Sequence, residues 1–461
     1  MTLLPELYML CFSLVFLFLS LGREKAFLFQ TAKISAVTGF LVTLACVGAK
    51  GELFFGAYRI DFFSQIFKTL LSAGFMLVIC MFKKEDEVEN LPEFMMFLGF
   101  STLGLMILVS SVELISIAVS LEISSFSLYA AVPLRKAQTK TQLEAAIKYL
   151  FFGAMATGLM LYGMGYLYGI AHSTYLSDIV QSLPRLLAMP LGVLALILTL
   201  TAFFFKLSLF PLHFWAPDIY EGASDTTTTF IATIPKIAAT ALIIRLAMLS
   251  SSEPSTLITF FILLAAFSMT LGNLVGLVQK DLKRLLAYSG IAHAGYLMLG
   301  ILAFNKDGNA AAVYYIAIYL VMNLACFYVV ILLARRGENV SIKDLTGLAR
   351  RSPLLALTLA VAAFSLAGIP PTGGFTGKFF LFVSAFEAGH LTIVIIAAVN
   401  TVISIFYYLN LVRISYSRES ADLQPLQLTF HEKALCYVFN VAILFMGLMP
   451  FRLLDLFRQA V

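Results

Sequence analysis

An all-α polytopic membrane protein is the fold class this sequence predicts, and three observations predict it. The chain is 60% hydrophobic and 12% charged, with a mean hydropathy of +0.93, where soluble domains are about 45–50% apolar and about 25% charged. Its apolar residues gather in stretches of about 20, the length that crosses a bilayer as a helix. Only loops remain between them, so no soluble domain is predicted.

Fourteen segments follow in order: 4–22, 31–49, 62–82, 92–110, 112–133, 146–170, 191–214, 228–249, 255–277, 284–304, 310–334, 353–389, 391–416 and 433–457. The first begins Met-Thr-Leu-Leu-Pro-Glu without a positive run, so Leu7 to Leu21 reads as a spanning helix rather than a removable leader. The seventh carries Lys206 and then Pro211, in FFFKLSLFPLHFW. The twelfth is too long for one span and is interrupted by GIPPTGGFTGK, from Gly368 to Lys378. Proline removes a backbone donor and glycine loosens the turn, so both are expected to be broken helices.

Loop charge predicts orientation. Connections after odd-numbered segments hold about nineteen lysines and arginines, among them Arg23, Lys25, Arg135, Lys136, Lys140, Lys280, Lys283, Arg284, Arg335, Arg336, Arg350 and Arg351. The other side holds about seven, including Lys50, Arg59, Arg185 and Arg452. Odd connections are therefore expected on the cytoplasmic side and both termini on the far side. The two broken helices lie five segments apart, which suggests two five-helix units, the second inverted relative to the first. The expected division is 1–90 (helices 1–3), 91–250 (helices 4–8), 251–417 (helices 9–13) and 418–461 (helix 14).

Glu122, Lys206, Lys236 and Lys378 each sit inside an apolar segment. An ionisable group at bilayer depth costs from a few to more than about 10 kcal/mol, so it is rare there without a function, and a spread of them suggests proton or ion movement. Glu122 must be paired or neutral, and Lys206 is its nearest plausible partner. Moving the acid changes whether the lysine holds its proton, whereas a static pair would only pin two helices. Lys236 lies eight residues into its segment and Lys378 just past the second break; snorkelling is the competing reading, harder for Lys378. Between them, His293 in YSGIAHAGYLML could relay protons or be a hydrogen-bonded core histidine, with Tyr288, Ser289, Tyr296 and Tyr319 nearby. Glu144 and Lys148 are spaced i,i+4, so a proton site competes with a plain helix-surface pair.

Other patterns point away from further chemistry. Five cysteines are scattered singly (Cys11, Cys46, Cys80, Cys326, Cys436), without spacing for zinc or iron–sulfur, and read as small buried hydrophobes. GGFTGKFF has the wrong spacing for a phosphate loop and lies inside a membrane segment. Gly165 and Gly169, spaced GxxxG, suggest close helix packing. Trp215 is expected at the membrane interface. The net charge of +5 reflects juxtamembrane loops and implies no nucleic acid.

The stretches LEISSFSLYA, LEAAIKYLFFGA, FKLSLFPLHFWAPDIYEGAS, PKIA, QKDLKRLLAYSGIAHAGYLMLG and LAGIPPTGGFTGKFFLF together resemble the antiporter-like membrane subunits of proton-pumping NADH:quinone oxidoreductase, respiratory complex I. Nearly the whole chain fits. Within the family it looks most like the N type: Lys378 stands where the M type has glutamate, and 461 residues leave no room for the long lateral helix of the L type. The resemblance implies that Glu122 and Lys206 form the ion pair of a first half-channel. Lys236 would be the connecting lysine and Lys378 the terminal site of a second half-channel, with Glu144 a further acid on the cytoplasmic side. It also implies a non-redox role in a bacterial inner membrane. Flavin, iron–sulfur clusters, NADH and quinone would then lie in partner subunits, and the neighbours would be other antiporter-like subunits and the lateral helix of subunit L. A multisubunit cation/proton antiporter shares the same motifs. A stand-alone solute transporter fits lysines strung along three helices poorly, and a purely structural subunit would be indifferent to their loss.

Overall fold

The computed structural model describes residues 2–22, 28–82, 88, 90–136, 140–249, 255–334, 338–417 and 425–461. Arg23, Lys25, Arg335 and Arg336, which weighed in the orientation reading, lie outside the described residues. The chain begins with α1 (Leu4–Ser20) and α2 (Leu28–Ala45), then a hairpin of β1 (Gly51–Leu53) and β2 (Tyr58–Ile60). Next come α3 (Phe62–Met81), α4 (Leu91–Ser110), α5 (Leu114–Ala131), α6 (Lys140–Ala171) and the short α7 (Leu176–Gln181) and α8 (Leu183–Leu187). α9 (Pro190–Leu207), α10 (Trp215–Gly222), α11 (Asp225–Leu249), α12 (Ser255–Gly276), α13 (Leu282–Ile301) and α14 (Lys306–Leu333) follow. The remainder is α15 (Leu348–Arg351), α16 (Pro353–Ala367), α17 (Gly373–Glu387), α18 (Leu391–Ser415), α19 (Phe430–Leu448) and α20 (Pro450–Ala460).

Helices occupy every predicted segment, and eleven of those described are long and apolar enough to cross a membrane. α1 and α16 are apolar but shorter, at 17 and 15 residues, and α13 carries Lys283, Arg284 and His293 within its 20. α11 and α14 form the centre and are buried almost all round, as their all-round apolar sequences require. Peripheral helices turn large apolar side chains outward (Phe18, Phe126, Phe151, Phe406, Phe445), which suits lipid and not water.

Both expected breaks are present, and the chain closes them identically. α9 ends at Ser208 in the left-handed region (φ 61°), with Leu209 N–H bonded to the Phe204 carbonyl at 2.9 Å. α16 ends at Gly368 (φ 85°), with Ile369 N–H bonded to Phe364 at 2.9 Å. These are Schellman closures, which satisfy the orphan carbonyls of a helix end.

Several expectations are corrected. The fourteenth segment, read as 433–457, is two helices, because Pro450 has no N–H and disfavours helical geometry at Met449. The close contact expected of Gly165 and Gly169 belongs to Gly163, where an added Cβ would sit 2.5 Å from Thr199 N; nothing lies within 4 Å of the other two. At 100° per residue, two positions along a helix turn to a different face. Cys11 is exposed rather than buried.

Candidate functional site

The first break leaves carbonyls inside the protein, and this explains the position of Trp215. Its indole N–H donates to the Phe205 carbonyl at 3.0 Å, and its ring stacks on Tyr149 at 5.2 Å. It is buried, not interfacial, because its indole N–H finds a partner inside the protein, in a helix-end carbonyl that also accepts from Ser208 N–H at 2.9 Å. Lys206 is buried beside this stack, its Nζ 5.8 Å from the centre of the Tyr149 ring. That Nζ makes no hydrogen bond to any described group.

The expected Glu122–Lys206 contact is absent among the described residues. Glu122 Oε1 instead accepts a hydrogen bond from Thr157 Oγ1 at 2.6 Å. Glu122 is only half-buried, on the stripe of α5 that also carries exposed Ile115, Val119 and Phe126. Residues 115, 119, 122 and 126 share one helix face, so the carboxylate faces outward and Thr157 on α6 holds it there.

Lys236 lies mid-way along the central helix α11, and its Nζ donates to the Gly290 carbonyl at 3.2 Å. Gly290 has no side chain because a Cβ there would sit 3.0 Å from both Lys236 Nζ and Tyr319 Oη. His293, one turn further along α13, is buried with both ring nitrogens engaged: Nδ1 with Tyr315 Oη at 2.6 Å and Nε2 with Tyr408 Oη at 3.1 Å. Tyr408 also bonds Ser289. A cavity of about 10 Å³ measured at water centres is lined by Leu207, Lys236, His293, Tyr315 and Tyr319, room for about one water. It joins the neighbour of Lys206 to Lys236 and His293.

Lys378 is buried across the second break. Its Nζ donates to Leu366 O at 3.0 Å and Ala367 O at 3.2 Å, and lies 4.5 Å from the centre of the Tyr296 ring. The carbonyl end of α16 carries the negative pole of that helix and suits a cation. Of the tyrosines singled out in the sequence, Tyr296 and Tyr319 line this region and Tyr288 is half-buried outside it.

The Glu144–Lys148 pair forms at 2.6 Å, and it belongs to a larger network that the sequence reading missed. Lys148 also meets Asp218 at 2.5 Å, Arg284 bridges Asp218 (3.0 Å) and Glu221 (2.7 Å), and buried Lys283 pairs with Asp225 at 2.9 Å. Burial pushes the Asp218 carboxyl up, but the hydrogen bonds from Lys148 and Arg284 outweigh it and hold it below the ordinary value of 3.8. Arg135 and Asn339 donate to the Glu221 carbonyl at 3.1 and 2.9 Å. α10 is thereby tied to α6 on one side and α13 on the other. The signal available in the sequence was the i,i+3 spacing of Asp218 and Glu221, which places both acids on one face of α10.

Two interrupted helices with buried lysines at their breaks, around a polar centre, define a class: antiporter-like membrane subunits. The family model described as "NADH:quinone oxidoreductase/Mrp antiporter, TM" matches residues 111–404. The chain is 45% identical over 453 residues to NADH-quinone oxidoreductase subunit N 2 of Opitutus terrae, covering 97% of this chain and 95% of the relative. It superposes on a chain of respiratory complex I from Thermus thermophilus with a TM-score of 0.84 and 31% identity, over 98% of each. A chain of the Mrp complex from Dietzia shares the fold, with a TM-score of 0.86 at 19% identity, over 100% of this chain and 96% of that one. This chain belongs to the NADH-quinone oxidoreductase subunit N family.

Proposed function

We propose that this chain is a proton-translocating, non-redox subunit of NADH:quinone oxidoreductase, coupling quinone reduction elsewhere in the complex to proton movement through its own glutamate and lysines. The observation that carries this reading is the series of buried groups Lys206, Lys236, His293 and Lys378, with one cavity touching the middle of it. Fourteen spans, with helices 4–8 and 9–13 as inverted units, complete the proposed architecture; the identical closures at Ser208 and Gly368 support the repeat. Odd-numbered connections would face the cytoplasm of a bacterial inner membrane, with both termini opposite. Flavin, iron–sulfur clusters, NADH and quinone would lie in partner subunits, and neighbouring antiporter-like subunits and the lateral helix of subunit L would cover the outward faces.

In the mechanism, Glu122 has two orientations. Held by Thr157 it faces a neighbouring subunit; released, it turns toward the unpartnered Lys206 amine. A charge change in that neighbour selects between them and alters the proton affinity of Lys206. The proton then passes by the cavity to Lys236, through the hydrogen-bonded His293, Tyr315 and Tyr408, to Lys378. Glu144, Lys148 and the α10 network form the polar approach on the opposite end. The 45% identity to subunit N over 97% of this chain favours this reading over a multisubunit cation/proton antiporter.

The test is Glu122→Ala and Lys206→Ala in the assembled complex, read as NADH:quinone turnover and proton pumping in membrane vesicles. Both variants are expected to assemble and to lose coupled activity. Full pumping by either assembled variant overturns the proposal.

A further inference from the structure

The first three helices, outside the two proposed repeats, contain an acid–lysine pair of their own. Lys68 of α3 and Glu6 of α1 are buried, with Nζ 2.6 Å from Glu6 Oε1. Tyr58, on the β1–β2 hairpin, donates to the same oxygen at 2.6 Å. The other oxygen, Glu6 Oε2, makes no hydrogen bond to any described group. Gln65, three residues before Lys68 and on the same face of α3, is wholly buried, and neither side-chain amide atom meets a partner among the described residues. Each unpaired buried polar atom costs about 1–3 kcal/mol. A static clamp would be expected to satisfy its partners, whereas a group that exchanges protons needs open acceptor positions.

The pair also stands in the right place. α3 packs on the central helix where Gly74 meets Ile234, two residues from Lys236. Lys68 is six residues from Gly74, about 9 Å along its helix toward the hairpin. Arg245, nine residues or about 14 Å beyond Lys236 on α11, binds Asp61 at the start of α3 with both nitrogens, at 2.8 and 3.0 Å. Arg59 continues this charge series outward, 3.7 Å from Asp61 and 3.8 Å from exposed Glu52. Ionisable groups therefore run from the level of Lys236, through buried Lys68, Glu6 and Arg245, to exposed Arg59 and Glu52 at the hairpin surface.

We propose that Glu6 and Lys68 form a further proton-exchanging pair, connecting the Lys236 region to the hairpin face through the Tyr58 hydroxyl. In this step the Lys68 ammonium gives one proton to the Glu6 carboxylate, leaving a neutral amine and a carboxylic acid. The acid then releases that proton toward the hairpin surface. The inference rests on the proposed role of Lys236.

The experiment uses the complete complex in membrane vesicles and compares the double variant E6Q/K68M with K206A, reading assembly, NADH:quinone turnover and protons pumped per turnover. E6Q/K68M removes both charges at nearly constant volume. A structural clamp tolerates such a swap, since neither charge is left buried without its partner and the glutamine oxygen can still accept from Tyr58. Assembled E6Q/K68M that has lost pumping supports the pair; full pumping by it, with K206A inactive, overturns this inference alone. Full pumping by both removes the underlying reading as well. If E6Q/K68M fails to assemble, Y58F, which deletes one hydroxyl, decides: reduced pumping supports the pair, and unchanged pumping overturns it.

Discussion

Thr157→Val removes the hydroxyl that holds Glu122 outward while keeping the shape of the side chain. The bond it deletes is short, 2.6 Å, and its acceptor is a carboxylate. Hydrogen bonds to charged groups contribute about 1.5–3 kcal/mol, which at about 1.4 kcal/mol per tenfold is a shift of roughly 10- to 150-fold between two orientations. Glu122 is half-buried, so the lower end of that range applies. The expected consequence is a carboxylate that rests toward Lys206, a pair that no longer releases on cue, and proton pumping reduced about tenfold in an assembled complex. Thr157→Ser keeps the hydroxyl and should retain most activity. The assay is proton uptake into vesicles per NADH oxidised, with assembly checked by co-purification of the other subunits. Wild-type pumping by assembled Thr157→Val would refute the two-orientation account of Glu122.

Trp215→Phe keeps the ring against Tyr149 but removes one of the two donors to the Phe205 carbonyl, leaving Ser208 N–H; about 0.5–1.5 kcal/mol of local stability is lost, and hydrogen exchange at the end of α9 should rise while remote helices are unchanged. Gly163→Ala forces a Cβ against Thr199 N and Ala195 O and should cost about 1–3 kcal/mol, whereas Gly165→Ala meets nothing and should be neutral or slightly stabilising; thermal inactivation in detergent ranks them. Burial raises the Asp61 carboxyl, but Arg245 and the bonds from Ser64 outweigh it and hold it below its ordinary 3.8. A depressed folded value means this stabilisation is complete above 3.8 and is lost as pH falls through the folded value. Asp61→Asn should therefore lower thermal stability at neutral pH and flatten its decline below pH about 4.

Composition and spacing were enough to predict a membrane protein with helices in the segments found and two interruptions, because lipid forces every backbone group to be satisfied within its own helix. Glu122, Lys206, Lys236 and Lys378 were legible for the same reason: a charge inside a long apolar run stands out. His293 and the Glu144–Lys148 pair were visible too, one as a lone titratable ring and the other by helical spacing. What could not be read from order along the chain was which groups meet. Trp215 capping Phe205, Thr157 rather than Lys206 on Glu122, and Asp218 and Glu221 tying α6 to α13 are contacts between residues 10 to 70 positions apart. Glu6 and Lys68 were hidden by their positions near helix starts, where a charge looks ordinary until packing buries it. Burial depends on what neighbouring helices cover. The sequence therefore determined where the costly groups are, and only the packed helices decided which partner each one has.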